Sequence, residues 1–151
     1  MEELLKKNNT KSVRVVLDYV NAINAADISK LSELMAHDHL FIDSRDNSVI
    51  GRDKMKEAWI GYFSMFPDYK VEIVQVVEKD SFVCLFGYAS GTYKSLKNNE
   101  NSNYWRVPAA WTAIVKDDKV KQWQVYVDNT LVIEIYNRNE NVPCGVKEKN
   151  F

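Results

Sequence analysis

The run from Phe66 to Tyr93, FPDYKVEIVQVVEKDSFVCLFGYASGTY, constrains the fold of this 151-residue chain more than any other stretch. Pro67 has no N–H to donate to a helix and restricts the residue before it, so the aromatic helix leading into it must stop there. A half-apolar strand follows, then a tight polar turn at Lys79-Asp80, then a longer and almost wholly apolar strand. A helix that feeds long antiparallel strands builds a sheet that wraps over helices. Such a sheet often encloses a pocket.

The flanking sequence supplies the other layers. From Lys11 to Asn24, apolar residues fall at Val13, Val16, Leu17, Val20 and Ile23, which is helical spacing. Asp27 can cap a second, shorter helix carrying Ile28, Leu31, Leu34 and Met35. Residues 39–43 (HLFID) read as a short strand with His39, Phe41 and Asp43 on one face. SRDNS is a turn, and Gly51-Arg52-Asp53 opens a third helix with Met55, Trp59, Tyr62, Phe63 and Phe66 on its apolar side. Four strands are expected at about 69–78, 81–93, 104–116 and 119–127, with the polar loop 94–103 closing a long hairpin. Asp128-Asn129-Thr130 begins a short terminal helix or extended segment, and a polar tail occupies 137–151. Residues 1–10 read as a frayed, charged start. Helices first and strands later argue for an α+β fold, and no linker or repeat divides the chain. The expectation is one domain over 1–151 with its core at about 12–136.

Composition narrows the function classes. A formal net charge of −1 gives no electrostatic case for nucleic acid or an anionic membrane surface. No apolar run approaches a membrane span, and the N-terminus lacks the apolar core of a signal peptide. Two cysteines make no disulfide framework: Cys84 reads as a core residue and Cys144 as part of the tail, so a reducing cytoplasm is expected. Neither cysteine has metal-site spacing, and no Gly-rich phosphate loop is present, so neither a metal nor a cofactor is expected. The four Trp, eight Tyr and six Phe are enough to build a large core or to line a cavity for a flat, apolar ligand.

Three stretches carry a family resemblance. FPDYKVEI followed by EKDSFVCLFGYASGTY, VNAINAADISKLSELMAHDHLFID, and DDKVKQWQVYVDN together resemble, in order and spacing, the SnoaL-like branch of the nuclear transport factor 2-like superfamily. The resemblance spans about residues 12–136. It implies a cone-shaped, curved antiparallel sheet packed on N-terminal helices (a cystatin-like or NTF2-like α+β barrel) with a pocket at its open end. It also implies a homodimer through the outer sheet face. Ketosteroid isomerases, polyketide cyclases, limonene-epoxide hydrolases, dehydratases and non-catalytic domains share this architecture, and fold alone does not select among them.

The resemblance also implies candidate site residues. Asp43 falls where the isomerases keep their general base, and a carboxylate walled by aromatics is suited to proton shuttling beside a carbonyl. The same Asp begins DSRDNS, where a turn role is equally natural. Tyr19, in YVNAINAAD, resembles the first-helix tyrosine that donates to a substrate oxyanion. The isomerases' second oxyanion donor, an aspartic acid, falls here on or near Trp111. The epoxide-hydrolase pattern fits at Trp123 but meets Val125 two residues later. Asp128 stands near the acid/base of polyketide cyclases, one residue out of step, and is as well placed to cap a helix. Tyr93 replaces a histidine common in those cyclases. His39 shares a face with Asp43, so a His–Asp pair is a further candidate. Trp59, Phe63, Trp111, Trp123 and Val125 are the expected pocket lining.

Two functional expectations result. One is a cofactor-independent isomerase, cyclase or dehydratase acting on a small apolar or aromatic ligand through a pocket carboxylate. The other is a non-catalytic ligand-binding or dimerisation domain of the same fold.

Overall fold

The computed structural model describes Glu3 and residues 10–95 and 103–140. The charged start, most of the 94–103 loop, and the tail from residue 141 with Cys144 lie outside the described residues. Helix α1 spans Lys11–Asn24 and is capped by Thr10, whose Oγ1 accepts from the Val13 N–H at 3.3 Å. The five apolar positions of its helical spacing are all buried, joined by Val15, Tyr19 and Ala22. Helix α2 follows at Ile28–Leu34, where Asp27 Oδ1 accepts from the Lys30 N–H at 3.0 Å. It stops one residue short of the expected span. Met35 is extended and pairs with Val120, so strand pairing overrides helical spacing there.

Strand β1 (Met35–Ile42) therefore begins earlier than the sequence indicates. Strand β2 (Ser48–Ile50) was not legible, because three residues between turns display no periodicity. Helix α3 (Arg52–Met65) ends at Phe66, immediately before Pro67. Strands β3 (Lys70–Lys79), β4 (Phe82–Thr92), β5 (Tyr104–Lys116) and β6 (Lys119–Val127) lie within a residue of expectation at each end. Asp80, Asp117 and Asp118 adopt positive φ in the two tight turns, a conformation Asp tolerates better than most side chains. Helix α4 spans Thr130–Glu140, so the helix runs on into the expected tail.

The strands form one curved, open sheet in the order β2-β1-β6-β5-β4-β3. The expected α+β architecture is present, with one topological refinement: β1 and β6 run parallel, and the other junctions are antiparallel. That parallel junction is irregular. Between Met35 and Leu40 the β1 register slips against β6, and His39 fills the gap by donating from Nδ1 to the Val120 carbonyl at 2.6 Å.

Strand alternation separates two sheet faces. Val83, Leu85, Ala89, Trp111, Ala113 and Trp123 point to the helices and are buried. Phe82, Phe86 and Tyr126 point outward and are exposed. Cys84 shares their side of β4 and is only half-buried, which corrects its reading as a core residue: both faces of β4 are apolar, so period alone did not reveal the core side. No helix among the described residues is long and apolar enough to cross a membrane.

Gly87 marks a close backbone approach of β3 to β4. A Cβ there would stand 1.8 Å from the Glu72 carbonyl oxygen, where β3 carries Val74 as an extra bulged residue. Gly61, in α3, has nothing within 4 Å of its would-be Cβ. Urea unfolding should show Gly87→Ala losing about 3 kcal/mol from overpacking. Gly61→Ala should gain about 0.5–1 kcal/mol from helix propensity. Equal effects would contradict the close approach of β3 to β4.

Candidate functional site

A cavity of about 520 Å³ lies between α3 and the concave face of the sheet. That volume suits a small organic ligand. Strand β6 contributes Trp123, Val125 and Val127 through period-two alternation, and α3 contributes Met55, Trp59 and Tyr62 through helical spacing. Phe41, Tyr69 and Trp105 complete an aromatic wall, with Asp43, Asn47, Ser48 and Asn129 as polar groups.

Asp43 is both a cavity group and a turn former. It is 4% exposed and lines the cavity. Its Oδ1 accepts from the backbone N–H groups of Arg45 at 2.8 Å and Asn47 at 2.9 Å. The Asn47 amide donates to Oδ2 at 3.2 Å, and the Asp43 N–H donates to the Asn47 carbonyl at 2.9 Å. The turn thus fixes the carboxylate in place at the cavity edge. Asn129, at the end of β6, donates to Ser44 Oγ at 3.1 Å and ties the start of α4 to the same turn.

The other candidates are distributed around this cavity. Trp59, Trp123 and Val125 line it. Tyr19 is fully buried behind the wall, where its hydroxyl accepts from Trp59 Nε1 at 3.2 Å and its ring meets Trp123 edge-on at 5.0 Å. Burial pushes the Tyr19 phenol up, with the Trp59 hydrogen bond partly opposing. Phe63 stacks on Trp59 at 5.2 Å, and Trp111 lies against Trp123 at 6.5 Å; neither belongs to the cavity lining. His39 is fully buried and engaged with Val120, so it is not brought to Asp43 as a pair. Asp128 is exposed at the start of α4, where its Oδ1 accepts from the Thr130 N–H at 3.0 Å and hydroxyl at 2.6 Å. These bonds hold its carboxyl below the usual range. Tyr93 donates to the Glu140 carboxylate, fastening the end of α4.

Sequence reasoning did not select Phe41, Tyr69, Trp105 or Val127. Trp105 and Val127 follow from the alternation that marks Trp111 and Val125, and Phe41 from its face shared with Asp43. Tyr69 follows from the alternation of Tyr69, Val71 and Ile73 with Lys70 and Glu72 at the start of the third strand. Among the described residues, no group of three or more His, Cys, Asp or Glu side chains is arranged to hold a metal ion.

His39 gives a pH test of the β1–β6 junction. Burial lowers its imidazole pKa below the ordinary value of 6.5. The unfolded chain therefore binds the proton more readily, and this contribution to stability is present above about pH 6.5 and is lost as pH falls through the lowered folded value. Urea titrations between pH 7.5 and 5 should show stability declining, with a shallower slope in His39→Asn. An unchanged slope in the variant would sink this assignment.

The geometry can be set beside known proteins. A family model described as a SnoaL-like domain matches residues 16–123. The fold resembles a protein of ketosteroid isomerase-like fold from Catenulispora acidiphila, crystallised with trimethylamine (TM-score 0.70, 16% identity, 88% of this chain and 96% of that one). It also resembles a protein from Jannaschia assigned to the SnoaL-like polyketide cyclases (TM-score 0.71, 17% identity, 88% and 94%). A third similar structure is an LEH-like epoxide hydrolase from M. tuberculosis (TM-score 0.70, 13% identity, 87% and 92%). At such identities these likenesses concern the fold. No functionally curated protein matches the chain.

Proposed function

The chain belongs to the SnoaL-like domain family, and from that premise we propose that its cavity binds a small apolar or cyclic carbonyl compound and moves a proton on it without a cofactor. The observation that carries this reading is Asp43, a buried carboxylate on the edge of an aromatic cavity. In this proposal Asp43 removes a proton from the carbon beside the carbonyl, and the electron pair moves onto the carbonyl oxygen to give an enolate. Return of the proton at another carbon gives isomerisation. Attack of the enolate on a second carbonyl gives cyclisation, and loss of a β-hydroxyl as water gives dehydration. Tyr19 acts here as a positioning residue, because its hydroxyl holds the Trp59 indole that walls the site. His39 and Asp128 serve the strand junction and the helix start, and the chemistry does not require them.

A second reading is supported by the same carboxylate. Two backbone N–H groups already occupy Asp43 Oδ1, as a purely structural turn would require. On that reading the cavity binds its ligand without transforming it.

Association of two copies through the outer sheet face belongs to the same proposal. Val77, Phe82, Phe86 and Tyr126 are 42–48% exposed there, and Phe86, Ala110 and Tyr126 lie in one cross-strand row. Sedimentation should show two copies, and Phe86→Glu should give one. A monomer before substitution rules the interface out.

Deuterium incorporation from D₂O at the α-carbon of 2-tetralone, followed by NMR, tests the chemistry. Asp43→Asn keeps an Oδ1 acceptor for the Arg45 and Asn47 N–H groups, so the fold should survive. The variant should exchange at least ~100-fold more slowly, the scale of lost general-base catalysis. Exchange at the original rate would remove Asp43 as base. Tight binding with no exchange in either protein would favour the non-catalytic reading.

A further inference from the structure

The cavity's polar groups are unevenly divided. Asp43 is the only charged side chain among its described lining residues. Away from Asp43, the wall carries the phenols of Tyr62 and Tyr69 and the Trp105 indole, all able to donate. Trp105 is 3% exposed and its Nε1 has no partner. The Trp111 indole is fully buried as well, and its Nε1 has no hydrogen-bond partner. An indole N–H donates and cannot accept. Tyr69 lines the cavity, and its phenol can donate there.

The Tyr69 ring is fixed as well. It meets Tyr62 edge-on at 4.9 Å and Trp105 at 6.1 Å. Its backbone N–H donates to the Phe66 carbonyl at 3.1 Å, in the turn that Pro67 enforces. These contacts hold the phenol in a fixed place on the cavity wall.

We propose that Tyr69 is the hydrogen-bond donor that orients the ligand in this cavity, and that the ligand is an uncharged cyclic compound whose carbonyl oxygen accepts that bond. The inference rests on the cavity being a ligand site and does not depend on Asp43 being a base. Charge decides against an anionic ligand: a carboxylate would lose its hydration beside Asp43 with no cationic side chain among the described lining residues. Burial also pushes the Tyr69 phenol up, so it keeps its proton at neutral pH.

The test compares 2-tetralone, its hydrocarbon parent tetralin, and tetralin-2-carboxylate, titrated by the fluorescence of the wall tryptophans. Tyr69→Phe should weaken 2-tetralone binding roughly three- to tenfold, the scale of one hydrogen bond, and change tetralin binding less than about twofold. Tyr126→Phe, on the outer sheet face, should change neither. The carboxylate should bind the unsubstituted protein at least about tenfold more weakly than the ketone. The carbonyl stretch of bound 2-tetralone, read by infrared difference spectroscopy on the unsubstituted protein, should lie below its value in cyclohexane. That measurement stands even if a Tyr69 variant fails to fold. An unshifted carbonyl, equal losses for ketone and hydrocarbon, or carboxylate binding as tight as the ketone's overturns the assignment to Tyr69 and leaves the ligand site standing. Failure of both 2-tetralone and tetralin to bind overturns the ligand site and this inference together.

Discussion

The hydrogen bond from the Trp59 indole to the Tyr19 hydroxyl, 3.2 Å long and sealed from water, sets the spacing on which the cavity depends. Trp59 belongs to α3 and Tyr19 to α1, and the Tyr19 ring rests edge-on against Trp123 of β6. Three elements distant in sequence thus meet through rigid rings. Loss of either partner would strand a buried polar group, at a cost of about 1–3 kcal/mol. Because the rings cannot collapse, α3 is held above the sheet and about 520 Å³ remains between them. Phe63, stacked on Trp59, and Trp111, beside Trp123, extend that rigidity on either side.

The same arrangement explains why the site combines one carboxylate with several donors. Short turns bring Asp43 and Asn47 to the cavity edge, and their geometry is fixed by backbone bonds within five residues. The Trp105 and Trp123 indoles arrive from long strands, and the Tyr69 phenol from the residue after the proline turn. Their positions therefore depend on sheet register, including the slip at β1 that His39 bridges. A change in register would alter which donors face the cavity while leaving the turn intact.

Much of this was readable from the residues, for identifiable reasons. The spacing Val13, Val16, Leu17, Val20, Ile23 and the Pro67 stop are local signals, and both elements form as they indicate. The alternation of Trp123 and Val125 placed both on the cavity wall. Asp43 was assigned two roles, and the structure gives it both a turn geometry and a cavity position. What escaped depended on pairing partners. Met35 is a strand residue because Val120 lies beside it, the outward side of Cys84 was hidden because β4 is apolar on both sides, and Tyr69 reaches the cavity from the turn between α3 and β3. The depth of Tyr19, one ring behind the surface it was expected to line, depends on how far α3 stands from α1, which no single-chain pattern encodes.

The bulge at Val74 carries a consequence for how copies of this molecule can meet. Strand β3 is an open border of the sheet, and the other border, β2, has three residues. A straight border invites another chain to add its own strand, and each addition exposes a fresh border, so growth has no natural end. The extra residue in β3 interrupts that template, and the short β2 offers almost none. Contact through the broad apolar face is different in kind, since two such faces turned toward each other are consumed by the pairing. In the proposed pairing the apolar face is satisfied once, while the border capable of endless repetition is broken.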